Sequence, residues 1–211
     1  MSLEQELKFV CSDFNGLRKL LIARGAYCVG KVFEHNRVYD TESGRLRKTG
    51  ILLRLRDAGK AVLCVKTTPE STMQDQGYEV KTWEEHQTQI YDAQSMHSIL
   101  LSLGYHVMFS YQKVREKWHS GQCDVCLDHL PFGRFVEIEG SPLKIWAQAR
   151  ILALDEKPWS TKSYYDLHQE WRAKNHLPLE ESFVFAPEEE SRLRDAIQNR
   201  TPDSEESFKP K

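Results

Sequence analysis

The sequence predicts an α+β protein built on an eight-stranded, antiparallel, closed β-barrel with amphipathic helices packed outside. Three observations predict it. Eight stretches alternate apolar and polar residues with the two-residue period of a strand. Capped helical stretches interrupt and follow them. The polar face of nearly every strand is ionic, and charges of one sign gather on particular strands.

In the first strand, Leu3, Leu7 and Phe9 fall on one face and Glu4, Glu6 and Lys8 on the other. Asp13 then caps a helix carrying Phe14, Leu17, Leu20 and Leu21, which Gly25 stops. A second such unit begins at Asp92, carries Met96, Ile99, Leu100 and Leu103, and stops at Gly104. Each helix precedes a long strand, YCVGKVFEHNRVYD or YHVMFSYQKVREKW, so the two units form a loose repeat without matching side chains. The other strands are ILLRLRD, AVLCVKTT, YEVKTWEEHQ, QCDVCLDHL and GRFVEIEG, separated by turn residues such as Asp57-Ala58-Gly59 and Ser120-Gly121. From Leu143 to about His176 the pattern is helical, with Ile145, Trp146, Ala149 and Leu152 on one face. The barrel domain is expected over 1–187. Residues 188–211 have little to bury and are expected to begin as a helix and end as a disordered tail.

The chain has 211 residues, 40% apolar and 28% charged, with a net charge of -2. That balance points away from nucleic acid and from membrane surfaces. No apolar run is long enough to span a bilayer and no secretory leader is readable, so a cytoplasmic location is expected. Five cysteines, an odd number, favour reduced thiols over a disulfide framework.

The ionic faces carry the functional argument. Arg54 and Arg56 alternate with Leu53 and Leu55; Lys66 lies opposite Val65; Lys113, Arg115 and Lys117 share a face; Glu137 and Glu139 flank Ile138. Carboxylates two apart on a strand are roughly 7 Å apart and repel by about 2 kcal/mol at an effective dielectric near 20. A solvated sheet has little reason to do this twice, at Glu4/Glu6 and Glu137/Glu139. If the helices cover the apolar faces from outside, the ionic faces point into the barrel, where unpaired charge is too costly to leave alone. Divalent cations suit the carboxylates, and a chain of phosphates suits the guanidinium and ammonium groups.

Glu4-x-Glu6-x-Lys8 resembles the ExExK signature of the CYTH superfamily, the triphosphate tunnel metalloenzymes. The resemblance runs from Glu4 to about Tyr165 and includes, in order, Arg54-x-Arg56, VKTT at Lys66, Lys113-x-Arg115, LDHLPFGRFVEIEG and TKSYYDL. It implies a triphosphate tunnel in which Glu4, Glu6, Asp128, Glu137 and Glu139 bind Mg²⁺ or Mn²⁺. Lys8, Arg54, Arg56, Lys66, Lys113, Arg115 and Lys162 would hold the triphosphate, and Glu4, Glu6, Lys8 and Glu139 would serve catalysis. Glu79 and Lys81 match less closely, because GYEVKTW lacks the arginine that often precedes the acidic position. The resemblance implies a triphosphatase acting on inorganic or small organic triphosphates, with a class IV adenylyl cyclase making cyclic AMP as the alternative and a non-catalytic phosphate-binding module as a third reading. Hydrolysis is preferred because no adenine pocket is readable. The expected partner is a small-molecule triphosphate, the expected assembly a monomer or homodimer.

Other motifs are read as structural. Cys123-x-x-Cys126, followed by His129, has its sulfurs on opposite faces of a strand. The eight histidines form no HxxxH pair and are expected mostly at the surface. The tryptophans are expected to pack helices on the barrel, except that Trp83 shares the parity of Lys81 and so faces the tunnel.

Overall fold

The structure, a computed structural model, describes residues 2–69 and 79–199. The expected strands form as β1 (Ser2–Val10), β2 (Tyr27–Asp40), β3 (Ile51–Asp57), β4 (Ala61–Thr67), β5 (Lys81–Ile90), β6 (His106–Ser120), β7 (Cys123–Leu130) and β8 (Gly133–Glu139). Neighbours run β5-β4-β3-β2-β6-β7-β8-β1, and β1 also pairs with β5, Leu3 opposite Glu84 and Gln5 opposite Thr82. All these pairs are antiparallel, so eight strands close into a ring. Register shifts near Gly30 and Tyr39 break the longest pairing, β2 with β6. Such irregularities bend and twist a ribbon, which helps a sheet curl on itself.

The helices cover the outside. α1 (Phe14–Ala23) starts where Asp13 accepts the Gly16 N–H at 2.8 Å. It buries Phe14, Leu17 and Leu21 against Leu7 and Phe9 of β1, Val125 of β7 and Ile138 of β8, while Leu20 stays exposed. α2 (Arg45–Lys48) is a single turn after β2. α3 (Ala93–Ser102), capped by Asp92, sets Leu100 and Met96 against Leu53 and Leu55 of β3. Its Ile99 and Leu103 are exposed, so that helix is narrower in its contact than its sequence suggests.

The long helical stretch expected over Leu143–His176 is two helices, α4 (Pro142–Ile151) and α5 (Tyr164–Lys174). Between them a two-residue strand, β9 (Trp159–Ser160), adds to β1 at Phe9 and Lys8. α4 stops without a glycine. Ala153 takes φ 52, its N–H bonds Arg150 O, and the Leu154 N–H reaches back to Ala149 O. That double bond pattern is the Schellman termination. α1 and α3 stop the same way, with Gly25 and Gly104 at the left-handed position. α5 opens with a capping box between Ser163 and Asp166.

α6 (Pro187–Gln198) opens the segment expected to have little to bury, and it packs. Leu193 and Ile197 lie on Phe33, Val114 and Phe185, and the Arg194 guanidinium sits 4.0 Å from the Phe33 ring centroid. The expected tail end beyond 199, like Tyr78 at the start of the predicted fifth strand, lies outside the described residues. No described helix is long and apolar enough to cross a membrane.

Candidate functional site: the ionic tunnel

The ring encloses a cavity of about 1180 Å³, lined by residues from all its strands but β7. The strand parities decide what lines it. Leu7, Phe9, Val136 and Ile138 are fully buried on the outer face under the helices, so Glu4, Glu6, Lys8, Glu137 and Glu139 point inward. Arg54, Arg56, Lys66, Lys81, Lys113 and Arg115 line the same space. Together with Lys162, whose ammonium pairs with Glu170 and is half exposed, twelve of the fourteen site residues expected from the sequence line one cavity.

The acidic wall is the β1–β8 pair. Glu6 stands opposite Glu139 and Lys8 opposite Glu137. Lys8 bonds Glu6 and lies 3.1 Å from Glu137. Burial works against the charge on Lys8, but Glu137 and Glu6 outweigh it and raise its pKa. Burial likewise opposes charge on Glu137, yet Arg115, Lys8 and Lys113 hold it well below the usual carboxylate range. Glu139 goes the other way. Burial, joined by the charges of Glu137 and Glu4, overrides Arg115 and pushes its carboxyl up to about 8. The two members of this adjacent pair are pushed apart, Glu137 towards the ionised form and Glu139 towards the protonated one.

The cationic wall is β3, β4 and β6. Lys66 bonds Glu4, and Arg54 Nη1 donates to the Tyr111 hydroxyl at 2.9 Å. Arg54 Nε is buried with no hydrogen-bond partner, a donor held ready in the tunnel. Lys81 neighbours Lys8 and packs over Trp83, 5.0 Å from its ring centroid; burial first, then Lys8, lowers its pKa. Trp83 thus faces the tunnel as its parity requires.

Two expected residues fall elsewhere. Asp128 is fully buried behind the lining, with both oxygens taken. It accepts from Arg115 Nε at 2.8 Å, Arg115 Nη2 at 2.6 Å, Lys113 Nζ at 3.0 Å and the Tyr164 hydroxyl at 2.8 Å. There it pairs with the cations of Lys113 and Arg115, whereas the resemblance implies a metal ligand. Glu79 precedes β5 and is exposed outside the cavity lining. The acid that β5 turns inward is Glu85, 3.8 Å from Lys66. Continuing the parity of Lys81 and Trp83 by one step finds it.

Glu34 is the other unforeseen acid. It is buried on β2 beside Lys113, 3.7 Å away. Burial would raise its carboxyl, but Lys113, Arg115, Arg56 and Arg54 hold it at about 2. Tyr164, from α5, was also missed; Lys8 and Lys113 lie 5.1 Å and 5.2 Å from its ring centroid. Cys123 packs in the outer core and Cys126 lies inside next to Arg115, so their sulfurs diverge as expected, and none of the five cysteines forms a disulfide. His168 is buried in an aromatic cluster with Phe132 and Phe183, an exception to the surface placement of histidines.

A closed antiparallel ring with an inward-facing ExExK strand defines a class. A family model of the CYTH domain matches residues 2–142, and the chain belongs to the CYTH family. That family includes triphosphatases and class IV adenylyl cyclases. Solved structures show the same fold. A candidate adenylate cyclase from Vibrio parahaemolyticus is 22% identical with a TM-score of 0.69, the match covering 80% of this chain and 98% of that one. The PH1012 protein of Pyrococcus horikoshii is 23% identical with a TM-score of 0.63, covering 78% and 98%. A candidate adenylyl cyclase from Hippeastrum, described as having a dominant triphosphatase activity, is 19% identical with a TM-score of 0.58, covering 85% and 98%. No curated protein matches the chain.

Proposed function

We propose that the chain is a divalent-metal-dependent hydrolase of triphosphates. The observation that carries this reading is the meeting, in one cavity, of four carboxylates on β1 and β8 with the Arg and Lys residues of β3, β4 and β6. Arg54, Arg56, Lys66, Lys113 and Arg115 bind phosphate oxygens, the guanidinium groups as forks and the ammoniums as point charges. Asp128 and Glu34 keep these cations aimed without meeting the phosphates themselves. Phosphoryl transfer asks mainly for such charge neutralisation and positioning.

The acidic wall fits Mg²⁺ or Mn²⁺ in donor chemistry, because both prefer carboxylate oxygen. Like charges directly opposite on paired strands are destabilising, and Glu6 faces Glu139 in that way. Burial first, then the charges of Glu137 and Glu4, favours the protonated form of Glu139, and a cation beside it would favour the ionised one. Among the described residues no three metal-ligating side chains already converge, since Glu4, Glu6 and Glu137 turn to Lys66, Lys8 and Arg115. Glu4, Glu6, Glu137 and Glu139 would hold the metal. When bound, it would draw charge from the phosphate oxygens and lower the pKa of a coordinated water. Glu6, or Glu139 in its ionised form, would take the proton of the attacking water, and Lys8 keeps Glu6 oriented.

Cyclisation of ATP is the second reading, favoured by the names of the structural neighbours; the activity described for the Hippeastrum protein favours hydrolysis. One incubation series separates them: inorganic triphosphate, ATP and thiamine triphosphate, each with Mg²⁺ or Mn²⁺, assayed for phosphate and cyclic AMP. Phosphate without cyclic AMP is expected. Cyclic AMP with pyrophosphate would replace hydrolysis by cyclisation, and binding without turnover would leave a phosphate-binding module.

A further inference from the structure

One stretch of the ring wall is completed by a segment beyond the residues that the family model matches. β7 pairs with β6 only from Val114 to Ser120, which leaves the side of β6 at Ser110–Gln112 to another partner. Residues 182–185 take it. Ser182 Oγ accepts the Ser110 N–H at 3.0 Å, the Phe183 N–H donates to Ser110 O at 3.0 Å, and Phe183 O accepts the Gln112 N–H at 3.1 Å. The buried Gln112 side chain locks this strap. Its Oε1 accepts the Phe185 N–H and its Nε2 donates to Glu190 of α6, both at 2.9 Å. The pairing fixes which ring the strap presents. Phe183 is buried and stacks on Tyr111 with centroids 5.1 Å and planes 21° apart, while His168 of α5 packs on it at 4.8 Å.

Tyr111 is where the strap meets the tunnel. It shares the inward parity of Lys113 and lines the cavity, and its hydroxyl accepts from Arg54 Nη1 at 2.9 Å. Glu85 Oε1 and Cys64 Sγ lie further off, each 4.0 Å from Arg54 Nη2. The Tyr111 hydroxyl is therefore the short contact that aims this guanidinium. An arginine that must be ordered on binding loses side-chain entropy, and one already aimed binds more tightly. A phenol aims a guanidinium only while its ring is held, and Phe183 covers that ring's face.

We propose that Phe183 is a positioning residue for phosphate binding: through Tyr111 it fixes the direction of Arg54, so the strap after α5 sets part of the tunnel's affinity for triphosphate. The inference rests on the triphosphate reading of the tunnel. Phe183 is outside the cavity lining and meets no ligand itself.

Calorimetric titration of inorganic triphosphate with Mg²⁺ tests it on the wild type, Phe183→Leu, Tyr111→Phe and the double variant, with urea unfolding of each. Phe183→Leu keeps an apolar side chain and removes the stacked face. It should weaken binding about three-fold to ten-fold, within the range of one aromatic pair. Tyr111→Phe removes the hydroxyl and should weaken binding about ten-fold or more, the scale of a hydrogen bond to a charged group. In the Tyr111→Phe background, Phe183→Leu should add less than about two-fold, because the bond it supports is already gone. Gln112→Met cuts the strap's lock from outside the tunnel and gives the same background-dependent loss if Phe183→Leu does not fold. An equal loss in both backgrounds, or wild-type affinity in the folded variant, overturns the inference while leaving the triphosphate reading intact. Failure of the wild type to bind triphosphate overturns that reading and the inference with it.

Discussion

The Tyr164 hydroxyl donates to Asp128 Oδ2 over 2.8 Å and so ties the first turn of α5 to the buried carboxylate that aims Lys113 and Arg115. A helix outside the ring thereby helps set the geometry of the cationic wall of the tunnel. Tyr164→Phe keeps the ring between Lys8 and Lys113 and removes only that bond. It should lower the unfolding free energy by about 1.5–3 kcal/mol, the scale of a hydrogen bond to a charged group, and raise KM for the best triphosphate. Urea unfolding and steady-state kinetics read the two effects; a variant unchanged in both would disconnect α5 from the site.

Glu4→Gln and Glu6→Gln preserve shape and remove one negative charge each from the acidic wall. Each should lower phosphate release by at least about 100-fold, as expected when a group central to transition-state charge is lost. Circular dichroism should show the fold retained. Full activity in both variants at saturating metal would sink the hydrolase assignment.

Arg54→Ala deletes the buried donor Nε and the Nη1 bond to Tyr111. The expected change is a KM about ten-fold to a hundred-fold higher, on the scale of a charge-assisted contact, with kcat altered less. Inhibition by inorganic triphosphate should weaken in parallel. Unaltered KM and kcat would remove Arg54 from the cradle.

Outside the ring, Arg18 Nε and Nη2 hold both oxygens of Glu116, at 2.8 and 2.9 Å. Burial opposes charge on Glu116, but the hydrogen bonds from Arg18 and Trp118 and the charge of Arg18 bring its carboxyl below the usual range. Because the folded pKa lies under the unfolded one, this pair stabilises the fold above the ordinary carboxylate range, and the gain is lost as pH falls through the folded value. Arg18→Ala should therefore cost about 2 kcal/mol at neutral pH, and its difference from wild type should shrink in acid. A difference constant from neutral to strongly acidic pH would exclude the ion pair as its source.

Ala153 holds a left-handed backbone at an exposed position, which costs a side-chain-bearing residue about 1 kcal/mol relative to glycine. Ala153→Gly should raise stability, with a higher midpoint in thermal melts and unchanged kinetics. A lower midpoint would show that the unfolded chain's added freedom outweighs the relief of strain.

That same position explains what the sequence hid. Helix ends at Gly25 and Gly104 were legible because glycine marks the left-handed turn, whereas Ala153 and His176 make the same turn without it. The eight strands and their inward faces were readable because a two-residue period is unambiguous wherever Leu7, Phe9 or Ile138 must be buried. Parity gives a direction and not a depth, which is why Asp128 faces inward as expected yet sits behind Lys113 and Arg115. Glu79 went astray for a related reason: it shares the parity of Lys81, but β5 starts two residues after it. The contribution of α5 was hidden because no local pattern shows which tunnel residue a helix outside the ring will touch.

The double pairing of β1, with β5 on one side and β8 on the other, also sets an order of events. During synthesis on the ribosome, β1 emerges before either partner, so Glu4 and Glu6 cannot join Glu137 and Glu139 until β8 has left the exit tunnel. Contacts so distant along the chain are slow to form. Until then β1 is an unsatisfied edge with Leu7 and Phe9 uncovered, a surface that invites pairing with other chains. The strand that bears the ExExK motif therefore completes its pairing only when β8 is in place.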